Sequence, residues 1–199
     1  MSGGCITIIS IAGTLAFIVS SAIFLFVKES NSTCIIAERG TLPLYQDCYV
    51  LKNEQACLKI EESIKLDENQ GFRLVLLLIF ILQSTLVPLF FLTVWTRKRT
   101  PIFKILLTIN FLGIIGSYFL CIIKRFDFGG KMCSGLYADL QEFASLMERG
   151  KFMLCYIIAL PIFYITIIII VIMANKMNRS DSYEYGAYDS WWYFDGANG

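Results

Sequence analysis

Four uninterrupted apolar runs, residues 5–27, 74–95, 102–123 and 152–175, alternate with polar stretches along the chain. Each run is 22 to 24 residues long, and Lys104, near the start of the third, is the only charge inside them. A helix needs about 20 apolar residues to cross the hydrocarbon core of a bilayer. The pattern therefore predicts four transmembrane helices. The first run lacks a basic n-region and is longer than the roughly 7–15 apolar residues of a cleaved signal peptide, so it reads as an anchor. Pro88 and Pro161 lie inside the second and fourth runs. Neighbouring helices can re-satisfy the carbonyls they free, which predicts kinks and not breaks. The predicted organisation is a tail at 1–4, a first loop at 28–73, a link at 96–101, a second loop at 124–151 and a tail at 176–199.

The loops carry shorter patterns. In the first, β-prone runs at 34–37, 41–45, 48–51 and 56–60 are separated by Arg39-Gly40, Gln46-Asp47 and Lys52-Asn53-Glu54, which predicts a small antiparallel sheet. Residues 61–70 look helical and lead into the second span. In the second loop, Leu136, Leu140, Phe143, Leu146 and Met147 recur at helical spacing, and such a stripe is expected to pack on the first loop. Within the spans, Ala12, Ala16 and Ser20, and Gly113 with Ser117, are small residues four apart, a spacing that lets helices approach closely in lipid.

Composition sharpens this picture. With 56% hydrophobic and 17% charged residues the chain is more apolar than a soluble domain. Its formal charge is +1 and its longest basic block is Arg97-Lys98-Arg99, so no nucleic-acid partner is expected. The absence of histidine removes the usual general base and the commonest zinc ligand. No Cys-x-x-Cys pair occurs and no carboxylate pair falls within a span, so neither an enzyme nor a cofactor or metal site is expected. The missing mid-span charges also argue against a conduction path. The remaining partners are the lipid bilayer and other membrane proteins.

Orientation rests on two features. The link at 96–101, with Lys176 and Arg179, carries the positive charge expected on the cytoplasmic side. Lys124, Arg125, Arg149 and Lys151 flank the second loop and nearly balance that count. Cysteines decide the matter, because Cys34, Cys48, Cys57 and Cys133 all lie in the two loops on the other side. An even set of loop thiols indicates disulfides in an oxidising compartment, with three connectivities open to four cysteines. Cys48 and Cys57 are suited to face each other across a turn. Asn31-Ser32-Thr33 is a glycosylation sequon on the same side, set close to the end of the first span. The sequon at Asn178 falls on the cytoplasmic side and reads as a chance match. The protein is thus expected at the plasma membrane with extracellular loops.

The segment Pro43-Leu44-Tyr45-Gln46-Asp47-Cys48, followed by Cys57, resembles the claudin signature Gly-Leu-Trp-x-x-Cys with its second cysteine. The long first loop, short link, shorter second loop and an arginine, Arg73, entering the second span are similar to that family's layout. Tyr45 stands where the family has tryptophan and Pro43 where it has glycine. Cys34 and Cys133 add a candidate second pair, which shifts the resemblance toward a divergent member of the superfamily that includes the peripheral myelin, epithelial membrane and calcium-channel gamma proteins. The resemblance implies a four-transmembrane-helix bundle bearing a small disulfide-stapled extracellular β-sheet of four strands, joined by a strand from the second loop. It implies a Cys48–Cys57 staple and a membrane-edge anchor at Leu44 and Tyr45. It also implies cell-cell contact or junction assembly, by binding to itself in cis or in trans, with an auxiliary channel or receptor subunit as the alternative. The first loop holds eight acidic and six basic residues, too even a balance to expect strong ion selectivity. Finally, seven of the twelve residues at 183–194 are aromatic, which suggests a membrane-surface tail or a cytoplasmic partner for it.

Overall fold

The computed structural model describes residues 3–38, 40–95 and 101–189, with side chains from 8–92, Arg39 apart, and 102–173. In chain order, α1 (Gly3–Phe26) is followed by strand β1 (Ile35–Ala37) and by α2 (Leu42–Tyr45), which continues into a π-helical turn at Gln46–Val50. Then come α3 (Glu54–Glu61), strand β2 (Lys65–Asp67), α4 (Glu68–Trp95), α5 (Pro101–Phe126), α6 (Phe128–Cys133), a 3₁₀ helix at Ala138–Phe143 and α7 (Met147–Asp189). The fold is mainly helical. Four helices are long and apolar enough to cross a membrane, over Ile8–Phe26, Glu68–Leu92, Ile102–Phe126 and Met147–Met173. The second and fourth begin several residues before their apolar runs, because Glu68, Asn69, Glu148 and Arg149 serve as first-turn residues of the same helices. Both helices run unbroken through Pro88 and Pro161. The link at 96–100 lies outside the described residues, as do the tail at 190–199 and the side chains of 183–189.

Contacts divide the chain into two units, Gly13–Ala159 and Met1–Ala12 with Leu160–Gly199. In the first, α4 and α5 pack closely because Gly113 admits Leu82, whose nearest methyl lies 2.9 Å from where a glycine Cβ would stand. Aromatic and polar contacts add α1 and α7 to this packing. Phe17 meets Tyr156 edge-on at 5.5 Å, Phe24 stacks on Phe152 at 4.8 Å, and Tyr118 donates its hydroxyl to the Ile157 carbonyl at 3.2 Å. The small residues of α1 do not form its packed face: Ala16 is exposed, while Thr14, Ser21 and Leu25 are buried. In the second unit, α7 continues as regular helix, with the Thr166 hydroxyl donating to the Ile162 carbonyl at 2.8 Å.

The expected sheet is smaller than the sequence pattern suggests. β1 and β2 pair antiparallel, with Ile36 opposite Leu66, and no third strand joins them among the described residues. The runs at 41–45, 48–51 and 56–60 are helical over 42–45, 48–50 and 56–60, and residues 65–67, expected to be helical, form the second strand. Burial at helical spacing explains the change. Tyr45 and Cys48 turn inward three residues apart, and Ala56 and Ile60 four apart. Asn53 caps α3 by accepting the Gln55 amide at 3.1 Å, with Glu54 in the first turn and Lys59 in the last, as the helix dipole favours.

Candidate functional site

The two loops close into one head over the ends of the spans. Cys34, just before β1, is bonded to Cys133 at the end of α6, which ties the first loop to the second. Cys48 is bonded to Cys57, joining the π turn to α3 and closing the first loop on itself. This pair sits between helical segments, not on neighbouring strands.

Tyr45 forms the centre of the head. Its side chain is 1% exposed, and its ring contacts those of Tyr49, Phe128 and Phe143 at 5.4–5.9 Å. Its hydroxyl accepts the Ala37 amide at 2.6 Å. Gly40 lies so close that any Cβ there would enter the Tyr45 ring. The ring is therefore enclosed by protein, which corrects the expectation of a membrane-edge anchor. Burial pushes its hydroxyl pKa up from the ordinary tyrosine value, against the opposing effect of the Ala37 bond. Beside it lies a cavity of about 470 Å³, lined among others by Ile36, Cys48, Cys57, Ile60 and Phe143. Part of the second loop's stripe packs here: Leu140 and Leu146 are buried and Phe143 meets Tyr49 at 4.9 Å, whereas Leu136 is exposed and the segment forms a kinked 3₁₀ turn and not a regular helix.

Two buried arginines hold the head to the spans. Arg149, 0% exposed, donates through Nε to the Phe24 carbonyl at 3.0 Å and through its terminal nitrogens to the Leu25 carbonyl and Asn69 Oδ1. The end of α1 thus meets a cation where its last carbonyls lack helical partners. The reverse occurs at the start of α7, where the Glu29 carboxylate accepts the amides of Glu148 and Arg149 at 2.8 and 3.1 Å. Glu29 holds a left-handed backbone (φ 52°) just after α1 to reach them. Asn69 extends the network by donating to the Ser32 carbonyl at 2.6 Å. Arg125 donates to the Gly150 carbonyl at 2.8 Å and to the Ser134 hydroxyl at 2.7 Å. Lys124 pairs with Glu68 at 3.5 Å, and Lys151 with Glu148 at 3.0 Å. In the sequence these four cations look like membrane-flanking charge. In the fold each has an internal partner.

The remaining residues singled out from the sequence lie elsewhere. Pro43 is exposed and Leu44 half-buried on α2, where proline suits a first helical turn. Arg73 is exposed near the start of α4, and Asn31 is exposed in the turn after α1. Of the cysteines outside the two disulfides whose side chains are described, Cys121 is buried and Cys155 exposed. The surface of the head carries large apolar side chains among charged ones such as Lys52, Glu54, Lys59 and Glu62: Val50, Leu51, Leu58 and Ile64 are 52%, 71%, 57% and 69% exposed.

These features define a class: a four-span membrane protein whose two loops are locked by disulfides into a single, mainly helical head. No family model, curated protein or solved structure matches the chain.

Proposed function

We propose that this protein works by binding, as a cell-contact protein of the plasma membrane whose extracellular head meets other membrane proteins. The observation that carries the reading is the set of large apolar side chains, Val50, Leu51, Leu58 and Ile64, displayed on the head while Tyr45, Cys48, Ile60 and Leu140 are buried in it. Exposed apolar surface of this kind marks interaction sites. The extracellular placement is supported by two disulfides, which persist in oxidising compartments. It is supported also by the basic link Arg97-Lys98-Arg99, a positive-inside signal for the opposite side. Within this reading the chain is a divergent relative of the claudin superfamily that keeps the layout and the Cys48–Cys57 pair while building its head largely from helices. No residue is assigned a catalytic role.

Mixing tagged expressing cells with non-expressing cells tests the proposal. Accumulation only where two expressing cells touch is the expected outcome, and it should weaken in a Leu51→Asp, Leu58→Asp variant that still reaches the surface. Uniform surface staining, unaltered by those substitutions, would replace contact with the auxiliary-subunit reading.

A further inference from the structure

The two disulfides are unequally shielded. Cys34 and Cys133 are both buried. Cys48 is buried too, but Cys57 is half-buried, and this pair lines the cavity of about 470 Å³ beside Tyr45. Small-molecule pockets span roughly 300–1,000 Å³ and combine apolar walls with a few polar groups. Here Ile36, Ile60 and Phe143 supply the walls, and Glu61 and Lys65 line the same cavity while remaining exposed at its mouth. A small peptide thiol matches that lining: Lys65 faces its carboxylate, Glu61 its ammonium, and its sulfur enters toward the disulfide. Accessible disulfides are the labile and regulatory ones.

The exchange balances with two such thiols. The first, as thiolate, attacks Cys57 Sγ; the bond to Cys48 breaks, and Cys48 leaves as a thiolate that takes up a proton. The second attacks the small thiol's sulfur in the mixed disulfide and releases Cys57, which is protonated in turn. Two thiols become one disulfide, and the two electrons and two protons they give up end on Cys48 and Cys57.

The bond also holds a displayed segment in place. It closes residues 49–56, which carry Val50 and Leu51, two of the exposed apolar side chains on which contact rests. Next to Leu51, Lys52 has a left-handed backbone (φ 53°), a conformation that a non-glycine residue keeps only where its surroundings impose it. Those surroundings are the disulfide and the Leu51 and Asn53 amides, which donate to the Gln46 and Asp47 carbonyls at 3.0 and 2.8 Å. Cleaving the disulfide removes the covalent restraint and lets Lys52 relax, and Leu51 moves with it.

Resting on the reading of the head as a contact surface, we infer that the cavity admits a small peptide thiol, which cleaves Cys48–Cys57 and releases the apolar segment between them.

The test uses the full chain in lipid nanodiscs and in cells, with reduced glutathione as the probe. Alkylation and peptide mapping over a glutathione series should show Cys48 and Cys57 freed at a rate at least about tenfold above that of Cys34 and Cys133, because exchange follows access. Cleavage should speed hydrogen exchange at the Leu51 and Asn53 amides. Given oxidised glutathione, Cys48→Ser should be thiolated at Cys57, whereas Cys57→Ser should leave the buried Cys48 unmodified. Ile35→Trp, at an exposed position of the cavity lining, should slow the wild-type reaction. On cells, glutathione should disperse the wild type from contacts, and the double variant Cys48→Ser, Cys57→Ser should accumulate weakly and not respond. Equal reduction of both pairs, equal thiolation of the two single variants, or unchanged exchange and contact after cleavage would overturn the inference. Selective cleavage with release of the segment, in a protein that never gathers at contacts, would support the inference and overturn the proposed function alone.

Discussion

Arg149 shows how one side chain joins three segments, α1, α4 and its own α7. Replacing it with methionine preserves much of its volume but strips partners from Asn69 and from the last carbonyls of α1. Each buried polar group left unpaired costs about 1–3 kcal/mol. Arg149→Met is expected to lower the thermal unfolding midpoint in nanodiscs markedly, with Arg149→Lys recovering only part because a lysine has no planar fork. Glu29 gives a sharper contrast. Its left-handed backbone favours glycine, yet Glu29→Gly is expected to destabilise, since hydrogen bonds to a charged acceptor are worth about 1.5–3 kcal/mol each and two are lost. Tyr45 adds a pH signature. Burial holds its pKa above the ordinary value of about 10. Below that value both folded and unfolded chains keep the proton and stability is unaffected. Above it the unfolded chain ionises first, so stability falls with rising pH until the folded hydroxyl ionises too. Tyr45→Phe should lose stability at neutral pH, by leaving the Ala37 amide unpaired, and should remove that group's part of the alkaline loss in a pH series of melts. None of these roles is visible in sequence. Arg125 and Arg149 read there as membrane-flanking charge, with the partners of Arg149 lying 80 to 125 residues away, and Tyr45 reads as a strand or interface residue because its helical setting and its Phe128 and Phe143 contacts appear only on folding.

Elements differ in how plainly the sequence announces them. A run of more than twenty apolar residues has few alternatives to a membrane span, and all four such runs became helices. The loop segments of four or five residues are too short to show a period, and Tyr45, Val50 and Ile60 favour strands only by local propensity. Signals for helix were nonetheless present. Asn53-Glu54 is an N-cap with an acidic first turn, and Pro43 suits the start of α2, although in the sequence the one also reads as a turn and the other as part of a family motif. Only β1 formed where a strand was expected, and its partner β2 came from a stretch with helical character. The disulfides can be weighed at this scale. In a chain-entropy estimate a loop of about 100 residues is worth roughly 4.7 kcal/mol. The loop closed by Cys34–Cys133 spans 99 residues but contains two membrane spans, which already confine its ends. Cys34→Ser with Cys133→Ser should therefore cost clearly less than that figure in a bilayer, and more nearly the full amount in a denaturing detergent, as compared by unfolding in the two media.

The whole molecule is a membrane anchor that presents one locked head. Four spans return the chain to the starting side, so both loops emerge together, and the inter-loop bond with the Arg149 network makes them a single body. The measurement that bears most directly on this account is peptide mapping under non-reducing conditions, on protein from intact cells whose accessible thiols have first been blocked with a membrane-impermeant reagent. The expected result is two linked pairs, Cys34–Cys133 and Cys48–Cys57, neither carrying the reagent. Unlinked Cys34 and Cys133, or either of them bridged to Cys48 or Cys57, would contradict a head built from both loops.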